Sequence, residues 1–188
     1  MHKFDPKKFK KLDSPWRREQ LPPLKTLKKI GVISGMDIAD IGCGIGYFSF
    51  PSIDIIGKEN KVYALDTEMT MLDYMKERMD EENISNIELV KTEEYDLKIN
   101  DNSVDFALLV NVLHEIEDKE RFLKETKRVL RDGGKLAVIE WKKEKTDKGP
   151  PEDHRISIKD IKDVLENTNF KVVDDMEISN YYYGVILA

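Results

Sequence analysis

Three glycines and two acids are the residues of this chain whose spacing most clearly predicts chemistry. Gly42, Gly44 and Gly46 follow a short β-prone run, and Asp66 ends a second apolar run twenty residues after Gly46. Glycine permits a sharp turn with positive φ and lets a ligand approach the main chain. A helix after the turn would add free N–H donors and the positive end of its dipole. An acid about 20 residues further on can accept hydrogen bonds from ribose hydroxyls, so the pattern predicts an adenosine-containing cofactor.

The glycine spacing distinguishes between such cofactors. The dinucleotide fingerprint is G-x-G-x-x-G, and counted from Gly42 its third glycine would replace Tyr47. Here the third glycine comes one residue earlier, and Asp40 lies two residues before the first. A carboxylate at that place suits an ammonium or sulfonium group better than a pyrophosphate. The spacing therefore favours a sulfonium cofactor, with a tight turn that binds nothing as the alternative for the glycines alone.

The elements around these residues alternate between short apolar runs and amphipathic stretches, which predicts an α/β doubly wound sheet. We expect strands near 37–41, 61–65, 87–91, 104–110, 135–140, 170–174 and 183–187. Helices are expected near 22–30, 46–57, 68–82, 118–131 and 157–167, and the charged, proline-containing segment 142–156 is expected to be a loop.

Local signals predict how several helices begin and end. Thr67 is a candidate N-cap for 68–82, and Asp118 for the helix after it. Pro51 is expected to bend the 46–57 helix in its second turn. The Arg-Asp-Gly-Gly run at 131–134 predicts a left-handed cap at the end of the 118–131 helix.

The composition limits the classes of protein to which this chain can belong. The 188 residues are 40% hydrophobic and 36% charged, which is typical of one globular domain. The single cysteine excludes a disulfide framework or a cysteine-rich metal site, and no metal-ligand spacing occurs. Without an apolar membrane span or a signal-peptide core, the sequence predicts a cytoplasmic protein of unspecified oligomeric state.

The net charge of −6 is unevenly distributed, because residues 1–30 carry +7 and the remainder −13. We therefore divide the chain into a basic N-terminal arm or lid, 1–30, and a main domain, 31–188. A basic arm can bind nucleic acid or an anionic substrate. The alternative is a partly helical arm that packs on the acidic body.

The order of motifs from Asp37 onward resembles the class I S-adenosylmethionine-dependent methyltransferases. The closest likeness is to the type 11 members related to the quinone-biosynthesis C-methyltransferases. The glycine turn resembles their motif I and Asp66 their motif II acid, and the likeness continues through Asn102–Phe106, Leu113–Asp118 and Arg128–Gly134. The resemblance implies a Rossmann-like sheet of seven strands with the last one antiparallel. It also implies methyl transfer to a small organic acceptor by in-line displacement.

The resemblance assigns the cofactor residues position by position. The backbone around Gly42, Cys43, Gly44 and Gly46 would face the methionine portion, with Asp40 near its amino group. Cys43 is interpreted as a small residue in a tight loop.

The adenosine portion would be held by a second set of residues. Asp66 would hold the ribose diol, and Thr67 or Met69 would flank the adenine. Many members of the family have Asp and a small residue after the third strand, whereas this chain has Glu93 and Glu94. These two are predicted to contact the adenine amine, with a solvated charge pair as the alternative.

Residues after the fourth strand should lie nearest the transferred methyl group. Asn111 follows that strand at the carboxyl edge of the sheet, where ligands bind in open α/β folds. His114 is the candidate catalytic residue, because a histidine with a pKa of about 6.5 can take a proton from an incoming nucleophile. A structural role for His114, as a helix cap or a wall of the pocket, is the alternative.

The acceptor site is expected between two covering segments, Ser14–Arg18 and Trp141–Ser157. Arg17, Arg18 and Arg155 would suit an anionic substrate. Aromatic residues that could pack on substrate or cation are Trp16, Tyr47, Trp141 and Tyr181–Tyr183. Ordinary surface loops are the alternative.

Three other functions are weighed. An RNA methyltransferase could use the basic arm, but Asn111 is followed by Val112 and Leu113, not by the Pro-Pro-aromatic motif of amino-directed nucleic-acid enzymes. A nicotinamide-dependent oxidoreductase is disfavoured by the glycine spacing. A non-catalytic cofactor-binding partner of a larger enzyme is the third.

Overall fold

A computed structural model describes residues 12–188, and five of the ten basic residues of the predicted arm lie outside the described residues. The strands are β1 Ile38–Ile41, β2 Val62–Asp66, β3 Ile87–Lys91, β4 Val104–Val110, β5 Leu130–Trp141, β6 Val172–Glu177 and β7 Tyr182–Leu187. The helices are α1 Pro15–Gln20, α2 Pro23–Lys29, α3 Ser49–Ile56, α4 Met69–Glu82, α5 Lys119–Val129 and α6 Ile158–Val164. Short 3₁₀ turns lie at Leu113–Glu115, Glu152–His154 and Leu165–Asn167. Every predicted strand and helix overlaps one of these elements.

The seven strands form one sheet in the order β3-β2-β1-β4-β5-β7-β6. The first five are parallel, and β7 is antiparallel to both of its neighbours, β5 and β6. The predicted seven-stranded sheet with an antiparallel last strand is confirmed. Because the chain order reverses between β1 and β4, the carboxyl ends of these strands open onto a crevice where ligands bind.

Two apolar clusters cover the two faces of the sheet, as parallel strands require. The strand β1 shows the alternation: Ala39 and Ile41 belong to one cluster and Ile38 to the other. Asp40 follows the face of Ile38 and is only 3% exposed. A carboxyl group in the centre of a buried strand therefore marks this position as one with a role other than packing.

The end of α5 differs from the prediction. The left-handed cap predicted at 131–134 is wrong, because α5 ends at Val129 and Leu130 is already extended, with φ −76° and ψ 135°. Residues 131–134 form an irregularity within β5, between the pairs Leu130–Val104 and Lys135–Phe106. Gly134 belongs there because a Cβ would lie 2.9 Å from the Arg131 carbonyl oxygen.

Three other local predictions can be compared with the structure. Thr67 is not the N-cap of α4, since Glu68 holds that position without a side-chain hydrogen bond. Pro51 does not bend the interior of α3, because α3 begins at Ser49 and places the proline in its first turn. Asp118 does cap α5, accepting a hydrogen bond from the Arg121 N–H at 3.0 Å.

The described part of the N-terminal arm packs on the main body. Leu21, Leu27 and Ile30 are buried in the same apolar cluster as Ile38. The helix α1, in contrast, contains no buried residue and is held by partly buried side chains at its surface. The division at residue 30 stays a prediction.

Candidate active site

A cavity of about 790 Å³ opens at the carboxyl ends of β1, β2 and β4. It is lined by the glycine turn, by the residues that follow β2, β3 and β4, and by segments of α1 and of the loop after β5. Of the predicted site residues, those lining it are Asp40, Gly42, Cys43, Gly44, Asp66, Thr67, Glu93, Glu94, Asn111 and His114. Most of the predicted site residues therefore lie in the crevice that the strand order forms.

The glycine turn is tied to β2 by its backbone. The N–H groups of Gly42 and Cys43 both donate to the Leu65 carbonyl oxygen, at 2.8 and 3.0 Å. Gly42 has φ +73°, and a Cβ there would lie 2.5 Å from a methyl group of Val112. A side chain would therefore be both strained and obstructed at this position.

Gly46 has a packing role. It does not belong to the lining of the cavity, and a Cβ there would lie 2.5 Å from the Phe50 ring and 2.8 Å from the Met75 methyl group. Cys43 lines the cavity and its thiol contacts the Met75 sulfur at 3.6 Å. Burial raises the pKa of the Cys43 thiol, so the group stays neutral, in agreement with its interpretation as a small loop residue.

Asp66 joins the glycine turn to the start of α4. One carboxylate oxygen accepts from the Gly44 N–H at 2.8 Å, and the other accepts from the Glu68 N–H at 2.8 Å. Burial raises the pKa of Asp66, against the lowering effect of these two N–H donors. Each oxygen keeps a further lone pair, so the carboxylate can still accept hydrogen bonds from a ligand's hydroxyl groups.

The side of the cavity beyond Asp66 is formed by the first turn of α4 and by the segment after β3. Met71 lines the cavity, whereas the predicted Met69 is 54% exposed and does not. Glu93 and Glu94 both line it, in a short turn closed by hydrogen bonds between Glu93 and Asp96 backbone groups. Which of these residues contacts a bound adenine stays a prediction.

Asp40 is the second acid of the cavity. Its Oδ2 accepts a hydrogen bond from the Ser49 hydroxyl at 2.5 Å. Burial raises the pKa of Asp40 to about 6, with a further contribution from the negative charge of Asp66 and an opposing one from Ser49. An acid of this pKa gains most from a cationic partner, which would favour its ionised form.

Asn111 follows β4 with a left-handed backbone, φ +59°. Its N–H donates to the Ile139 carbonyl oxygen at 2.8 Å. Its side-chain oxygen is buried and has no hydrogen-bond partner within residues 12–188. A buried acceptor of this kind is satisfied when a ligand or water donates to it.

His114 is held by a residue that the sequence analysis did not identify. Its ring Nδ1 lies 2.7 Å from Glu140 Oε2, and its backbone N–H donates to Glu140 Oε1 at 3.2 Å. Burial of the ring lowers the pKa of His114, but the hydrogen bond and negative charge of Glu140 outweigh it and raise the pKa above the ordinary value. Glu140 lies near the end of β5 and is 1% exposed. The signal was visible, since Glu140 is a lone acid in the apolar run from Leu136 to Trp141.

Aromatic side chains of α1, β5 and β7 form an aromatic wall at the cavity. Trp16 of α1 stacks on Trp141 at the end of β5, with 5.8 Å between ring centroids and 9° between ring planes. Tyr181 contacts both indoles edge-on, and Tyr182 lies 4.4 Å from Trp141. Gly149 completes the contact, because a Cβ there would lie 2.7 Å from the Trp141 ring. The wall therefore connects the N-terminal segment with the loop after β5.

Arg155 organises that loop. Its guanidinium donates to the carbonyl oxygens of Pro150, Lys142, Glu144 and Lys148 and to the Thr146 hydroxyl. These contacts use all five N–H donors of an arginine. The hypothesis that Arg155 binds an anionic substrate is therefore wrong.

The two other arginines of that hypothesis differ from each other. Arg18 is exposed and forms a bidentate ion pair with Asp13, at 2.5 and 2.6 Å. Arg17 lines the cavity itself. Within residues 12–188 no group of three or more histidine, cysteine or acidic side chains could hold a metal ion, and no helix is long and apolar enough to span a membrane.

Comparison with known proteins identifies the family. The model of the ubiE/COQ5 methyltransferase family matches residues 16–149. A demethylmenaquinone methyltransferase of Listeria welshimeri is 33% identical over 130 residues, which are 69% of this chain and 52% of that protein. One of Lactococcus lactis is 32% identical over 125 residues, or 66% and 50%. The chain spans about half the length of the curated relatives it matches.

Solved structures agree with this result. A SAM-dependent methyltransferase of Aquifex aeolicus is 38% identical with a TM-score of 0.93, and the match covers 98% of both chains. A type 11 methyltransferase of Sulfolobus solfataricus is 32% identical with a TM-score of 0.67, over 80% of this chain and 82% of that one. The alternatives of RNA methylation and nicotinamide chemistry gain no support. The chain belongs to the ubiE/COQ5 methyltransferase family, and its cofactor is S-adenosylmethionine.

Proposed function

We propose that this chain transfers the methyl group of S-adenosylmethionine to a small aromatic acceptor whose proton is taken by His114. The observation that carries the proposal is the arrangement of one cavity. It has two buried acids beside a glycine turn at one end, and a histidine held by a buried glutamate at the other.

The residues at the first end fit this cofactor. Asp40 would hold the ammonium group, since its raised pKa makes a cationic partner favourable. Asp66 would accept hydrogen bonds from the ribose hydroxyls, and Thr67 and Met71, which line the cavity, would flank the adenine. When bound, S-adenosylmethionine supplies a methyl group that its sulfonium already activates. The protein's part is then to orient the acceptor and exclude water.

The Glu140 carboxylate sets the state of the His114 ring. A carboxylate accepts hydrogen bonds, so Nδ1 carries the proton and Nε2 keeps its lone pair in the neutral ring. Nε2 can then take the proton that the acceptor's hydroxyl or ring C–H loses, while the acceptor gains the methyl group. The negative charge of Glu140 stabilises the imidazolium that results.

We infer the chemical class of the acceptor from the aromatic wall of the cavity and from the names of the curated relatives. The acceptor end of the cavity includes Trp16, Trp141 and Tyr182, which suit a planar aromatic ring. The curated relatives are named for demethylmenaquinone. A hydroxylated aromatic or quinone-type molecule is therefore the acceptor that we propose.

The test measures product formation by the isolated chain. Purified protein, S-adenosylmethionine and a panel of hydroquinones and phenols are incubated, and mass spectrometry identifies products one methyl group heavier. We expect methylation of a hydroquinone, greatly reduced in His114→Ala. Tight binding of S-adenosylhomocysteine without a methylated product from any acceptor would contradict the proposal and would favour a non-catalytic partner.

A further inference from the structure

Arg17 is a cation inside the cavity whose hydrogen bonds are incomplete. Its Nη1 donates to the Leu12 carbonyl oxygen at 3.0 Å, and its guanidinium carbon lies 4.4 Å above the centre of the Tyr47 ring. The Tyr47 ring is itself fixed, because its hydroxyl donates to the Leu21 carbonyl oxygen at 2.9 Å. The Arg17 Nε is buried and has no hydrogen-bond partner in the part of the chain that the structure describes.

Burying the Arg17 guanidinium with an unpaired N–H donor costs free energy. Burial lowers the pKa of Arg17, although Tyr182, Tyr47 and Asp40 act in the opposite direction. An arginine nonetheless stays protonated in a protein, so the cavity contains a positive charge with an unsatisfied donor. Buried charges are normally paired, and an anion that entered the cavity would complete the pairing.

Asp40 indicates which anion fits. Arg17 and Asp40 influence each other electrostatically, yet no ion pair within 4.0 Å joins them among the described residues. Asp40 instead bonds Ser49. An α-amino acid carries an ammonium and a carboxylate on the same carbon, so an acid and an arginine at one end of a cavity match its two charges.

We propose that Arg17 binds the carboxylate of the methionine moiety of S-adenosylmethionine. The proposal rests on the proposed placement of the ammonium group at Asp40. An anionic acceptor offers the same carboxylate chemistry, and the experiment below distinguishes the two sources.

The assignment gives α1 a second role. This helix has no buried residue and contacts the body through Trp16 and Arg17. A carboxylate bound by Arg17 connects α1 to the donor as well as to the aromatic wall. The proposal therefore links donor binding to the helix that also carries Trp16 of the aromatic wall.

The experiment compares the binding of two ligands to the wild type and to variants of Arg17 and Arg18 by calorimetry. The ligands are S-adenosylhomocysteine and its decarboxylated analogue, which lacks only the carboxylate. We expect Arg17→Met to weaken S-adenosylhomocysteine by about 10- to 100-fold, the range of a charge-assisted hydrogen bond. Binding of the decarboxylated analogue should change by less than about twofold. The matched control is Arg18→Met, next in sequence but exposed and paired with Asp13, which should change neither affinity.

Equal weakening of both ligands, or of neither, would overturn the assignment. If neither donor ligand is affected but the acceptor KM rises, the anion belongs to the acceptor and the proposal is wrong. Arg17→Lys keeps the charge and is expected to recover part of the lost affinity, which covers the case in which Arg17→Met folds poorly. Hydrogen exchange of residues 12–20 gives a second readout, and S-adenosylhomocysteine should protect them more than the decarboxylated analogue does. The calorimetry and hydrogen-exchange measurements do not require methyl transfer, so only the comparison of acceptor KM depends on the proposed activity.

Discussion

The two ends of the cavity are built differently. The donor end consists of strand ends and backbone: the glycine turn hydrogen-bonds to Leu65 of β2, and Asp66 bonds to the N–H groups of Gly44 and Glu68. The acceptor end consists of side chains from several elements, with Trp16 of α1 stacked on Trp141 of β5 and the loop after β5 held by Arg155. Under the proposed function, the difference teaches that donor recognition would be fixed by the fold, whereas acceptor recognition would depend on a few side chains that can change without disturbing it.

The largest effect should come from the residue that holds the base. Glu140→Gln can donate its amide N–H to His114 Nδ1, which places the ring proton on Nε2 and removes the lone pair that accepts the acceptor's proton. We expect turnover to fall by about 100- to 10,000-fold, the contribution of a positioned general base. Affinity for S-adenosylhomocysteine, measured by calorimetry, should be unchanged.

The control for this change is Glu115→Gln, because Glu115 is also near His114, with 3.9 Å between its Oε1 and Nε2. Nuclear magnetic resonance titration should show the His114 pKa lowered in Glu140→Gln, since the carboxylate that raises it most is gone, and lowered less in Glu115→Gln, because Glu115 raises it only through its charge. A variant with normal turnover and an unshifted pH–rate profile would exclude the positioning role of Glu140.

We expect Asp66→Ala to have a smaller effect than Glu140→Gln, and to lower the affinity for the donor. The variant loses the ribose contacts and leaves two backbone N–H groups without their acceptor. We expect binding of S-adenosylhomocysteine to weaken by about 10- to 100-fold, since hydrogen bonds to a charged group contribute about 1.5–3 kcal/mol. Glu68→Gln, at a neighbouring lining position, is the control, and equal losses in both variants would count against the motif II assignment.

The pH should change donor affinity through Asp40. This carboxyl has its pKa raised to about 6, so in the free protein its ionisation is unfavourable and stability decreases as the pH rises through that value. Binding of an ammonium requires the ionised form, so affinity changes in the opposite sense. We expect the affinity for S-adenosylhomocysteine to fall as the pH decreases below about 6, by no more than about tenfold per pH unit.

Asp66, whose pKa is also raised, contributes in the same direction. Calorimetry of S-adenosylhomocysteine binding from about pH 5 to about pH 8, on the wild type and on Asp40→Asn, separates the contributions of Asp40 and Asp66. We expect Asp40→Asn to bind weakly and its affinity to depend less steeply on pH. Identical profiles for both proteins would remove Asp40 from the ammonium site.

The smallest effect is expected at the acceptor loop. Arg155→Met removes five hydrogen bonds from the loop and leaves the Pro150 and Glu144 carbonyl oxygens without the donor they have in the wild type, so stability should fall by about 1–3 kcal/mol. The acceptor KM should rise a few-fold while S-adenosylhomocysteine affinity stays within about twofold. Limited proteolysis should cut the 142–150 segment faster than in Arg18→Met, and a loss of donor affinity would show that the two ends are not separable.

The sequence predicted most of the residues that line the cavity around the glycine turn, because their signals are local. An acid that interrupts an apolar strand, as Asp40 and Asp66 do, is visible without knowledge of contacts, and glycine spacing specifies a turn. Met69 illustrates the limit, since the residue that lines the cavity is Met71, and the exact rotation of a helix start depends on packing. Thr67 likewise does not cap α4, because the helix begins one residue later than predicted and Glu68 holds the N-cap position.

The acceptor end was predicted only in outline. The sequence indicated which segments cover the sheet edge, but two of the three arginines assigned to an anion are used within the protein. The Arg155 guanidinium donates to four carbonyl oxygens of a loop with irregular backbone, and no periodicity in the sequence predicts these hydrogen bonds. Glu140 carried a visible signal, yet its pairing with His114, 26 residues away in sequence, needs the parallel alignment of β4 and β5 to be known.

The stacked indoles have a practical consequence for spectroscopy. The chain contains two tryptophans, and both lie in the wall that joins α1 to the loop after β5. Tryptophan fluorescence, excited at wavelengths that the seven tyrosines do not absorb, therefore reports on this wall alone and needs no label. Any movement of α1 away from β5 separates the two rings and changes their emission, so a stopped-flow trace can time the closing of the acceptor end against the binding of the donor.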